Sequence, residues 1–242
     1  MRNILGITLA FVFASACAAA DNELTERERQ DGWLLLFDGQ TLNGWVTNDR
    51  EPSKRPVEDH CLNPHLCGGY FLMHEREWSD YILSLDFKIS KGCNSGIFIR
   101  TYPLLLPPDW SVGMRGIEVA IDDTTTAEFY DTGAFYDLVK PKRNAMKPIG
   151  EWNHIVITCD RNIMSVRLND QDVTRMDLDE WTQHGKRPDG SPHKFTNREY
   201  KLHPRHGYIG LQDHGGECWY KNIKIKPLNG TATQPAATPA AK

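Results

Sequence analysis

The sequence predicts an all-β chain, an antiparallel β-sandwich or jelly roll, on three observations. Apolar residues alternate with polar ones, helical periodicity is nearly absent, and the short apolar runs are separated by Gly-, Pro-, Asn- and Asp-bearing turns. At 242 residues the chain fits one such domain, because sandwiches and barrels run to about 200–250 residues as single units.

From the N-terminus, Arg2, the apolar run Ile4 to Phe13 and the small residues "ASACAAA" follow the order of a secretory signal. Cleavage is expected after Ala20, so the protein is expected in the periplasm or outside the cell. The run is too short for a membrane-spanning helix, which needs about 20 residues. A lipoprotein signal using Cys17 is the alternative, and it is the one route by which this chain would meet a membrane. Residues 21–30 form a charged leader, residues 31–228 the sandwich domain, and residues 229–242 a small, proline-bearing tail that buries too little to fold.

Within the domain, "YILSLDFKI" sets Tyr81, Leu83, Leu85, Phe87 and Ile89 on one face and Ser84, Asp86 and Lys88 on the other, as a half-buried strand requires. Further strands are expected at 33–37, 96–101, 116–121, 154–160, 164–169, 208–211 and 218–226. Two long polar segments, 48–69 and 175–204, are expected as surface loops, and long ordered loops are often binding loops. A net charge of -4, from 28 basic and 32 acidic residues, excludes a basic field for nucleic acid. The leader removed, Cys61, Cys67, Cys93, Cys159 and Cys218 remain. The spacing "CLNPHLC" suggests a Cys61–Cys67 disulfide in an oxidising compartment, with a His60, Cys61, His65, Cys67 metal site as alternative.

Face-sorting selects the chemistry. If Ile97 and Ile99 point inward, Arg100 points outward; by the same alternation so do Glu118, with Asp122, and Gln212, with His214. Loop 132–148 adds Tyr136, Lys142 and Asn144. Trp78, Trp110, Trp181 and Trp219 are candidate stacking platforms for a pyranose. No Gly-rich phosphate loop, Gly-x-Ser-x-Gly elbow or His-Glu-x-x-His pair occurs, which argues against nucleotide, serine-esterase and zincin chemistry.

The motifs "DGWLLLFDGQTLNGW" (31–45), "NSGIFIR" (94–100), "GIEVAIDD" (116–123), "TGAFYDLVKPKRNA" (132–145), "GEWNHIVIT" (150–158), "LNDQDV" (168–173) and "GYIGLQDHG" (207–215) occur in one order. In that order the chain resembles the bacterial 3-keto-disaccharide hydrolase family of 3-keto-glucoside 1,2-lyases and 3-keto-2-hydroxy-glucal hydratases. The resemblance implies a concanavalin A-like sandwich, export and a carbohydrate substrate. It also implies an oxidoreductase that makes the 3-keto sugar, and a binding-face role for Asn94, Ser95, Gly96, Arg100, Glu118, Gln212, Asp213, His214 and Gly215.

A C3 ketone acidifies the C2 proton, so the C1 substituent can leave by elimination and water can then add. That chemistry needs a base, a cation at the C3 oxygen and an acid at the leaving oxygen. The expected base is His214, held by Asp213. The expected cation is Arg100 or Lys142, and Glu118 is the acid or the alternative base. Asn94, Gln212, Asp213, Tyr136 and Asn144 would hold the sugar. No cofactor is required, although a divalent metal on Glu118, Asp122 or His214 could replace the cation. The alternative function is a non-catalytic carbohydrate-binding module on the same face.

Overall fold

The computed structural model describes residues 20–101, 116–196 and 199–228. The predicted export leader, the lipidation alternative at Cys17, Trp110 and the predicted tail lie outside them. The described chain opens with helix α1 (Glu26–Gln30), whose start is a capping box. The Thr25 hydroxyl accepts from Glu28 N–H while the Glu28 carboxylate accepts from Thr25 N–H, satisfying two donors that a helix end leaves orphaned.

Strands β1 (Leu34–Leu35), β2 (Trp45–Thr47), β3 (Phe71–His74), β4 (Tyr81–Ile89), β5 (Asn94–Thr101), β6 (Ile117–Asp122), β7 (Asn153–Asp160), β8 (Ile163–Leu168), β9 (Gln171–Asp177), β10 (Tyr208–Gln212) and β11 (Cys218–Pro227) follow. They form two antiparallel sheets, ordered β1-β11-β4-β7-β8-β9 and β2-β3-β10-β5-β6. The protein is the antiparallel sandwich that alternation predicts. Tyr81, Leu83, Leu85, Phe87 and Ile89 of β4 are buried against Ile97 and Ile99 of β5 and Ile117, Val119 and Ile121 of β6 in one core between the sheets. Burying each such side chain contributes about 1.5–3 kcal/mol, so the inward faces are strongly specified.

Strands β2, β3 and β9 were not expected. β3 is buried at all four residues, because Phe71 and Met73 join Phe98 and Tyr208 in a second apolar cluster on the far side of the five-stranded sheet. A strand covered on both faces has no alternation to detect. β9 is masked by its charges, and Arg175 to Asp177, expected in a loop, complete it. The rest of that long segment is anchored rather than loose: Trp181, His193, Phe195 and Tyr200 are buried, with Trp181 and Tyr200 rings 5.8 Å apart.

The segment 48–69 stays a loop, tied down where Leu62 and Tyr220 exchange backbone bonds of 2.9 and 2.8 Å. The expected Cys61–Cys67 disulfide is not formed. Both thiols are free and buried, Cys61 donating to Asp59 O at 3.3 Å and Cys67 to Gly69 O at 3.4 Å. Each thiol thus hydrogen-bonds within its own turn instead of bonding to the other.

Candidate functional site

The site is built on the outer face of the five-stranded sheet. Glu118 of β6 stands directly opposite Phe98 of β5, and Asp122 opposite Asn94. Paired residues share a face, so Glu118, Asp122 and Asn94 are brought together as alternation predicts. Between them the floor is Gly96 opposite Ala120. The Glu118 carboxylate lies over that floor: a Cβ on Gly96 would sit 2.8 Å from Glu118 Oε1. Burial pushes the Glu118 carboxyl up to about 8; the Lys194 ammonium opposes the rise and the Asp122 charge adds to it. Burial also raises the Asp122 carboxyl, whose oxygen accepts from Thr124 N–H at 3.2 Å and Thr124 Oγ at 2.8 Å.

Segment 131–139 runs beside β6 and delivers Tyr136. Its backbone N–H donates to Glu118 O at 2.9 Å, while Ala120 and Ala134 bond one residue pair further on. Lys194, from the long segment before β10, places its ammonium 3.9 Å from the Tyr136 ring centroid. Its own N–H donates to Asp137 Oδ2 at 2.6 Å. Arg187 clamps these two segments together, donating to Leu138 O, Asp137 O and Asp137 Oδ1 at 3.1, 2.7 and 2.9 Å.

At the other side, Gln212 is buried and donates through Nε2 to the Tyr70 hydroxyl at 2.8 Å. Its Oε1 has no hydrogen-bond partner among the described residues. Burial, followed by the Glu118 charge, raises the Tyr70 phenol to about 12, so it stays a donor. His214 stands exposed at the rim, its ring 5.7 Å from that of Tyr70. Nδ1 lies 3.1 Å from Asn94 Oδ1. An amide oxygen only accepts, so Nδ1 is the donor of this pair.

Four expected assignments are corrected. Asp213 does not hold His214: its two oxygens accept from His65 Nδ1 at 3.0 Å and Leu66 N–H at 2.8 Å, because alternation turns it away from the His214 side. That pairing also takes His65 out of the metal reading of the cysteine loop. Arg100 is fully buried in the interior. It has φ of 49° at the irregularity where β5 and β10 lose register. That bulge rotates the side chain off the Phe98 face, and Nη2 donates to Asp80 Oδ1 at 3.2 Å. Lys142 is exposed, tied by its backbone N–H to Val173 O at 2.8 Å, with no contact bringing it to Glu118. Asn144 spends its amide on Thr124 O at 3.0 Å, after β6, and on Met146 N–H at 2.8 Å.

Ser95 faces inward, its hydroxyl donating to Gln212 O at 2.7 Å. Trp78 and Trp181 are core residues and Trp219 belongs to the other sheet. Glu118, Asp122 and His214 do not assemble a metal site; among the described residues no group of three or more His, Cys, Asp or Glu is placed to hold an ion.

Sequence reasoning missed Tyr70 and Lys194. Tyr70 precedes the unrecognised strand β3, and Lys194 reaches the site through its own bond to Asp137 and the Arg187 clamp, long-range contacts that no local pattern reveals.

Residues 32–226 match the 3-keto-alpha-glucoside-1,2-lyase-like domain, most of the chain. The protein belongs to that family. A 3-keto-disaccharide hydrolase of Bacteroides thetaiotaomicron is 28% identical to this chain over 230 residues, covering 82% of this chain and 79% of its own. A crystal structure of a candidate glycosyl hydrolase from Parabacteroides distasonis superposes with a TM-score of 0.74 at 23% identity, covering 87% of this chain and 100% of the other. A second from the same organism gives 0.63 at 27%, covering 81% and 99%. The relatives support a carbohydrate-active, glycoside-cleaving enzyme on this sandwich.

Proposed function

We propose that the protein is an exported enzyme that cleaves 3-keto-glycosides by removing the C2 proton, expelling the C1 substituent and hydrating the product. The observation that carries this reading is the Glu118 carboxyl, raised to about 8 beside the Lys194 ammonium, on the same sheet face as the His214 imidazole. A carboxyl kept protonated near neutral pH by its environment can serve as a general acid. Family membership and the Bacteroides relative support a carbohydrate substrate, and the 3-keto class is this proposal's reading of them.

His214 Nε2 accepts the C2 proton, and electron density moves to the C3 oxygen, where the Lys194 ammonium, in place of Arg100, stabilises the enolate. As the C1–O bond breaks, protonated Glu118 gives its proton to the leaving oxygen. The Glu118 carboxylate then takes a proton from water as the water oxygen bonds to C1, and the exposed His214 imidazolium, its proton exchanged with solvent, protonates C2. Both groups end as they began, with a 3-keto hexose released. In this scheme Gln212 Oε1, Tyr70, Tyr136 and Asn94 hold the substrate hydroxyls. The C3 ketone requires an oxidoreductase acting earlier in the sequence of reactions, and the leader supports export.

The test is release of free sugar from 3-keto-trehalose by the purified protein. Glu118→Gln and His214→Ala are each expected to lower kcat by about 10²–10⁴-fold, the range for losing a general acid or base. Wild-type rates in both would end the scheme. Saturable binding of the substrate with no turnover by the unaltered protein would favour a binding module.

A further inference from the structure

We propose that the outer face of the six-stranded sheet carries a second saccharide site, one that binds neutral hexopyranose oligosaccharides, on the opposite side of the sandwich from Glu118. A cleft of about 450 Å³ opens there, lined by Trp152, Lys88, Lys221, Asp38, Gln40 and His60 among others, and ligand sites commonly occupy about 300–1,000 Å³. It shares no residue with the candidate catalytic face, so the inference goes beyond that reading and stands without it.

The aromatic wall follows from register. Lys88 of β4 stands opposite Trp219 of β11, and Phe87 opposite Asn153 of β7, which puts Trp152 on Lys88's other flank. The Lys88 ammonium lies 4.9 Å from the Trp219 ring centroid and 5.0 Å from that of Trp152, and Lys221 lies 4.5 Å from Trp152. Two lysines thus brace the Trp152 ring, which remains half-exposed in the cleft. A braced indole offers a flat, ordered surface at little entropic cost, suited to the C–H face of a pyranose. Around it stand donors and acceptors for hydroxyls: the Lys88 ammonium, the Gln40 carboxamide and the Asp59 and Glu23 carboxylates.

Charge selects the ligand. Lys221 is paired with Asp21 at 2.6 Å. That leaves Glu23, Asp38 and Asp59 against Lys88 among the lining groups, a balance that repels sulfated, phosphorylated or uronate-rich chains and accepts neutral ones.

The experiment is titration of the whole protein with maltotriose and with cellotriose, followed by the indole N–H signals in nuclear magnetic resonance spectra. At about 10 mM sugar, well above a ~1 mM dissociation constant, at least one probe should saturate the Trp152 signal. Trp152→Ala should weaken binding at least ~10-fold, and Gln40→Ala, a surface change that leaves the fold alone, should weaken it measurably. Glu118→Gln should bind as the unaltered protein does. No saturable shift with either probe, or binding lost in Glu118→Gln and kept in Trp152→Ala and Gln40→Ala, would overturn the proposal. Either result is independent of whether 3-keto-trehalose is cleaved.

Discussion

At Glu118 the chemistry depends on what its neighbour lacks. Gly96 has no side chain, and its φ is not in the left-handed region, so an alanine there is compatible with the backbone; the obstacle is the carboxylate 2.8 Å from the new Cβ. Gly96→Ala is therefore expected to cut turnover at least ~10-fold by displacing Glu118, while thermal unfolding shifts little. Loss of fold by circular dichroism, or unchanged kcat, would contradict this placement. The raised carboxyl also has a stability consequence. Between its ordinary value of 4.5 and about 8, the folded chain holds a proton that the unfolded chain has released. Stability therefore falls as pH rises through that window and stays low above it. Glu118→Gln carries no such proton, so its Tm relative to the unaltered protein should rise from pH 5 to pH 9. A gain of about 2–4 °C would correspond to 1 kcal/mol in a chain of this size. Equal Tm differences at the two pH values would mean that the carboxyl is not buried as described.

Alternation read from the sequence located Glu118, Asp122 and Gln212 on one surface because β6 and β10 are regular there. The same rule failed at Arg100, where a non-glycine residue in the left-handed region breaks the period; Asp213 was assigned to His214 by adjacency instead, and alternation turns it to the cysteine loop. Lys194 is the sharper omission. Its side chain reaches the site because two irregular segments are locked by Arg187, whose guanidinium also lies 4.0 Å from the Phe129 ring centroid. The side chains of Arg187 and Asp137 are only 11% and 7% exposed, and long-range pairing of this kind leaves no local pattern. Arg187→Gln should loosen the clamp and free Lys194, which now holds the Glu118 carboxyl below where burial alone would put it. The alkaline limb of the kcat/KM profile on 3-keto-trehalose should move to higher pH and kcat should fall several-fold. A purely structural role would lower Tm and leave the profile in place.

For the molecule as a whole, the sandwich was legible because the core strands repeat one simple period, whereas the covered strand β3 and the charged strand β9 do not. The two faces of the sandwich then diverge in chemistry. The five-stranded sheet carries an acid over a glycine floor with an ammonium-bearing loop beside it; the six-stranded sheet carries a braced, half-exposed tryptophan.

 The central claim is that the first of these faces breaks the glycosidic bond by elimination rather than through an oxocarbenium ion. The most direct measurement is the kinetic isotope effect on sugar release from 3-keto-trehalose deuterated at C2. Elimination predicts a primary isotope effect, with deuterium lost to solvent from C2 of the released 3-keto hexose. Cleavage at an undiminished rate with the C2 deuterium fully retained would contradict the account.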